Sequence, residues 1–100
     1  MNENALVEEL QESGYVTVEQ VARWRDAARL LAAFDAIGSE GAIAVVKVDG
    51  ERTDGWRYTV VVSGGRLGAV FFRKDGPDLN ALLREAISFY RAHMWSVRGD

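Results

Sequence analysis

The sequence predicts an α+β fold in the order α-α-β-β-β-α, a three-stranded antiparallel meander packed against helices. Three observations carry this. Apolar residues recur at three- and four-residue spacing in the first 37 residues and again over 79–94, the period of a helix with one buried face. Between them, residues 42–73 are rich in β-branched and aromatic side chains and broken by glycine. The breaks in that stretch are too short for crossover helices, so consecutive strands pair antiparallel. A chain of 100 residues forms one domain, 1–100, with a compact radius of about 13 Å.

Each element has its own signals. The first helix is expected from about Asn4 to Ser13, capped by Asn4 and ended by Gly14. At that length it needs tertiary support. Thr17 followed by Gln20 is a capping-box pattern and opens the second helix. Val21, Trp24, Ala28 and Leu31 form its apolar stripe, widened by Ala27, Phe34 and Ile37, and Gly38 stops it. Ala42–Val48 reads as a strand, and Asp49–Gly55 as a loop with two Asp-Gly turn signals. Trp56–Val62 reads as the second strand, with Trp56, Tyr58, Val60 and Val62 on one face. Gly64-Gly65 predicts a two-residue hairpin into a third strand, Leu67–Arg73, closed by Lys74–Pro77. Asp78 caps the last helix, whose stripe is Leu79, Leu82, Leu83, Ala86, Ile87, Tyr90 and Met94. The second sheet face then carries Ile43, Val45, Val61, Leu67, Ala69 and Phe71, to be covered by the N-terminal helices or used for binding.

Composition narrows the function. The absence of cysteine excludes a disulfide scaffold and Cys-based zinc sites, and no metal centre or cofactor is expected. The single His93 lies near a helix C-terminus, where a cation suits the helix dipole. No Gly-x-Ser-x-Gly elbow supplies a nucleophile. Gly64-Gly65-Arg66-Leu67-Gly68 is flanked by strands, whereas a phosphate loop leads into a helix. The carboxylate pairs Glu8-Glu9 and Glu51–Asp54 sit on surface-like segments, so an enzyme is not expected. No apolar run reaches the ~18 residues of a membrane span, and the acidic start MNENALVEEL is unlike a secretory signal, so the expected location is the cytoplasm.

Charge is segregated. Residues 1–22 carry five Glu and no Lys or Arg, a charge of −5; the remaining 12 basic and 10 acidic residues leave +2. The acidic balance argues against nucleic acid as the partner. Gly14–Trp24 resembles the opening of some helix-turn-helix DNA readers, but instead of a short turn and a recognition helix the same helix continues through Arg29 to Ile37, and Asp26 and Glu19 dilute the basic pair Arg25 and Arg29. Trp24 falls in a helical stripe and reads as core; Trp56, which opens the second strand, and Trp95, beyond the last clear helical turn, suit interface anchors and core positions equally.

A small, acidic, cysteine-free α+β chain of this element order resembles the immunity proteins of bacterial toxin–immunity systems, including those of contact-dependent growth inhibition. The resemblance spans the whole chain in size, acidity and element order, without a signature motif. It implies binding and neutralisation of a cognate toxin, such as a nuclease, by occluding its basic cleft. Two acidic surfaces are the candidates: the first helix region with Glu8, Glu9, Glu12 and Glu19, and the loop region with Asp49, Glu51, Asp54 and Trp56. The alternatives are a phage-encoded inhibitor of a host defence complex and a DNA-binding regulator using the 15–37 segment.

Overall fold

A computed structural model describes residues 2–95. The order is α-α-β-β-β-α: α1 (Glu3–Glu12), α2 (Val18–Ser39), β1 (Ile43–Val48), β2 (Tyr58–Ser63), β3 (Phe72–Gly76) and α3 (Leu79–Tyr90), followed by a π turn, Arg91–Trp95. The strands form an antiparallel meander, β1-β2-β3, with Val45 opposite Val61 and Val62 opposite Phe72.

α2 and α3 pack on each other and on one face of this sheet. Alternation along β2 sends Tyr58, Val60 and Val62 to that face, where all three are buried. They meet Ala27, Phe34 and Ile37 of α2 and Leu79, Leu82, Leu83, Ala86 and Tyr90 of α3 in one core. Gly76, opposite Tyr58, lies on the same face, and an added Cβ there would come within 3.3 Å of Leu82 Cδ2. Lys74 also points inward, but from an edge strand it reaches the rim and pairs with Glu85 of α3 at 2.8 Å. At the far end, Tyr90 Oη and Trp95 Nε1 both donate to the Glu40 carboxylate, at 2.7 and 2.8 Å, tying the end of α2 to the π turn. Burial and the Glu40 carboxylate both push the Tyr90 hydroxyl pKa up.

Several sequence expectations move. The cap of α1 is Asn2, two residues before Asn4; its Oδ1 accepts from the Ala5 amide at 2.8 Å. α2 runs past Gly38 to Ser39, and the chain reverses at Gly41, φ +94°. β2 begins at Tyr58, leaving Trp56 in the loop and half exposed. The Gly64-Gly65 hairpin does not form. Both glycines have positive φ, but they lead into a 3-10 turn, Gly65–Leu67, and β3 starts only at Phe72. The reason is a close approach: a Cβ on Gly65 would sit 2.9 Å from the backbone of Gly41 and Ala42. The connection therefore lies across the start of β1 and plugs Leu67 into the core instead of onto the second sheet face. Ala69 likewise falls outside any strand, while Lys74–Gly76, read as the closing turn, complete β3. Met94 belongs to the π turn, out of the α-helical register.

The second sheet face divides into two ends. At one, Ile43, Val45 and Phe71 remain exposed beside Val61, and no described helix packs there. At the other, the β1–β2 loop folds back, and Arg52 and Asp75 cover Thr59, which is 6% exposed.

Candidate interaction surface

α1 is well made locally. Asn2 caps its N-terminus and Glu3 occupies its first turn, where a carboxylate meets the positive end of the dipole. Its C-terminus closes in a Schellman motif: the Tyr15 amide donates to the Leu10 carbonyl at 2.9 Å, that of Gly14 to Gln11 at 3.1 Å, and Gly14 takes φ +82°. Yet α1 buries none of its side chains. Leu6 and Val7 are exposed among Glu3, Glu8, Glu9 and Glu12, and Tyr15, in the turn that follows, is 80% exposed. Glu12 stands in the last turn, where a carboxylate meets the negative end of the dipole and no basic residue offsets it. Glu19 lies in the first turn of α2, beside the Thr17–Gln20 capping box, whose two bonds are 3.0 and 2.9 Å. The four glutamates singled out here, Glu8, Glu9, Glu12 and Glu19, are all exposed.

The loop acids are arranged differently. Asp49 Oδ1 accepts from the Glu51 amide at 2.9 Å, an Asx turn, while its Oδ2 lies 3.5 Å from Lys47. Asp54 Oδ1 accepts from the Trp56 amide at 2.9 Å, and its Oδ2 accepts from Arg52 at 2.6 Å. The other nitrogen of Arg52 reaches Asp75 at 3.0 Å. Asp75 also accepts from the Thr59 hydroxyl at 2.6 Å. These bonds hold the Asp54 carboxyl below its ordinary range, chiefly through Arg52, and the Asp75 carboxyl below it through Thr59 and then Arg52. They raise the Arg52 guanidinium pKa in turn. Asp49 and Asp54 thus shape the loop. Glu51 and the half-exposed Trp56 remain directed at solvent.

Sequence reasoning missed a third feature. A groove of about 900 Å³ separates α1 from the start of α2 and the adjacent sheet end. Trp24 and Tyr58 meet edge to face beside it, ring centroids 6.4 Å apart. Arg23, Arg25 and Arg57 line its body wall, with Glu3 and Glu8 on the α1 wall. The two predicted acidic surfaces do not merge in it: Glu8 lines the groove, whereas Asp49, Glu51 and Asp54 do not. The only sequence signals are Arg23-Trp24-Arg25 and Arg57-Tyr58, and no local rule brings two such segments together. Trp24, read as core, packs against the core with one side and is only partly buried.

His93 Nδ1 lies 2.9 Å from the Phe89 carbonyl, one turn back on its own segment. Among the described residues, no three His, Asp or Glu side chains group as a metal site, and no helix is long and apolar enough to cross a membrane. Searches with family models, curated proteins and solved structures found no match to the chain.

Proposed function

We propose that this protein acts by binding another protein, as a cytoplasmic inhibitor of the immunity type, and not by catalysis. The observation that carries the reading is α1, a helix that is capped at both ends and buries no side chain. A ten-residue helix is marginal in water by itself and here adds nothing to the core. Its exposed Leu6 and Val7, set among four glutamates, suit docking against an external surface.

The chemistry of that surface follows from charge. Segregation of −5 into the first 22 residues favours a basic partner. A nuclease toxin presents such a cleft, because it holds phosphates. Glutamates of α1 would take the place of phosphates and exclude the substrate, and complementary charge speeds encounter to about 10⁸ M⁻¹s⁻¹ at low salt. Glu8, Glu9, Glu12 and Glu19 form the principal surface in this reading, because their carboxylates are exposed. Glu51 and Trp56 are a secondary contact, with Asp49 and Asp54 holding the loop that presents them.

The test is a comparison of tagged wild type with the triple variant Glu8→Lys/Glu9→Lys/Glu12→Lys in a pull-down from the native cell. The expected outcome is one stoichiometric basic protein retained by wild type and lost by the variant at unchanged melting temperature. Its enzymatic activity should fall to zero at a 1:1 ratio of wild type. Equal capture by both proteins would remove α1 from the interface. Recovery of nucleic acid alone would replace the inhibitor reading with a regulator.

A further inference from the structure

We propose that the groove between α1 and the body is a binding site for a nucleotide; it shares Val7 and Glu8 with the docking surface proposed above but not Glu9, Glu12 or Glu19. The groove's polarity carries the inference. Its body wall holds Arg23, Arg25 and Arg57, and none of the three forms an ion pair with a carboxylate among the described residues. Arg23 is held in place by donating to the Tyr58 hydroxyl at 3.1 Å. The Arg57 guanidinium stands 5.8 Å from the centroid of the same ring. Arg23 and Arg57 meet at one aromatic ring, and Arg25 lines the same groove; cations set this way suit a polyanionic head such as a phosphate, which accepts several guanidinium bonds at once.

The opposite wall has the reverse character. Glu8, Asn4 and Gln11 of α1 offer acceptors for N–H groups, as does Glu3. Both walls also carry apolar and aromatic side chains: Val7 on α1, and Val21 and Trp24 on α2, with Val16 from the turn that joins them. A ligand matched to all three parts has a flat ring carrying N–H donors at one end and an anionic group at the other. Purine nucleotides have this chemistry. A purely anionic ligand would face the α1 carboxylates, and a purely apolar one would leave the arginines desolvated and unpaired. The volume, about 900 Å³, lies within the range of small-molecule sites. Because α1 supplies one wall without burying a side chain of its own, the ligand would bridge α1 to the body and hold it there.

Calorimetric titration of the full chain with adenosine 5′-monophosphate, guanosine 5′-monophosphate, adenosine and inorganic phosphate tests the site. The expected result is saturable 1:1 binding of at least one nucleotide, tighter than either adenosine or phosphate. Arg25→Gln and Arg57→Gln should each weaken it about tenfold, the scale of one lost charge-assisted bond. Arg29→Gln, one turn from Arg25 on α2 but outside the groove lining, should leave affinity unchanged. All three arginines are exposed, so the variants keep the fold. Absence of saturable heat with both nucleotides overturns the proposal. So does equal loss in Arg25→Gln and Arg29→Gln, which would mean a diffuse charge effect, or phosphate binding as tightly as the nucleotides. Because Glu9, Glu12 and Glu19 lie outside the groove lining, failure here leaves the protein-binding reading standing.

Discussion

α1 and α3 are built from the same local parts and end up in opposite roles. Each begins at a side-chain cap: Asn2 Oδ1 takes the Ala5 amide at 2.8 Å, and Asp78 Oδ1 takes the Ala81 amide at 3.1 Å. They run for ten and twelve residues. α3 packs on α2, β2 and β3 and buries Leu79, Leu82, Leu83, Ala86 and Tyr90; α1 buries nothing. The radius of gyration, 15.7 Å, exceeds the ~13 Å of a compact chain of this length, in keeping with a helix that stands off the body. Capping is a local property and decides whether a helix forms. Burial is a property of the neighbours and decides what the helix is for.

The largest expected effect breaks the α3 side. Leu83→Ala removes a fully buried side chain from the core centre and should destabilise the fold by about 2–5 kcal/mol, visible as a fall in Tm of roughly 10 °C or more. Thermal unfolding followed by circular dichroism checks it. Cap removal sharpens the comparison. Asp78→Ala should cost about 1 kcal/mol of global stability, because α3 unfolds with the core. Asn2→Ala loses the same kind of bond, but its cost should stay within α1: faster amide exchange there, with global Tm unchanged. Equal shifts in Tm would show that α1 folds as part of the core.

A pH series separates the two acidic regions. The folded pKa values of Asp54 and Asp75 are lowered, so their bonds to Arg52 and Thr59 contribute stability above the ordinary carboxylate pKa. That contribution disappears as pH falls through the lowered folded values. Asp75→Asn should therefore lower Tm at neutral pH, and the gap from wild type should close as the medium is made acidic. A gap that widens in acid would reverse the assigned sign. The smallest effect completes the pair with Leu83: Leu6→Ala should change stability by less than about 0.5 kcal/mol while weakening capture of a protein partner. A large loss of stability would place Leu6 against the core.

Much of the fold was legible. Periodicity placed all three helices, and Leu82, Leu83, Ala86 and Tyr90 are buried as their spacing requires. Thr17 and Gln20 form the capping box that their separation predicts. The misreadings cluster where a non-local contact overrides a local signal. Gly64-Gly65 carries a strong hairpin signature, yet Gly65 is needed where the chain passes the backbone of Gly41 and Ala42. β3 accordingly starts five residues later than expected, at Phe72 and not at Leu67, and Leu67 moves from the second sheet face to the core. The loop acids show the same division. Their positions are readable, but only pairing across the sheet showed that Arg52 reaches both Asp54 and Asp75.

By itself, then, the sequence determined the fold class, the element order, the caps of α2 and α3 and the acidic N-terminus, because these depend on residues within a turn or two of one another. Tertiary structure decided the register of β3, the open end of the second sheet face, the exposure of α1 and the meeting of Arg23, Arg25 and Arg57 beside Trp24 and Tyr58. Each of these depends on which distant segments come into contact, and short-range periodicity carries no information about that.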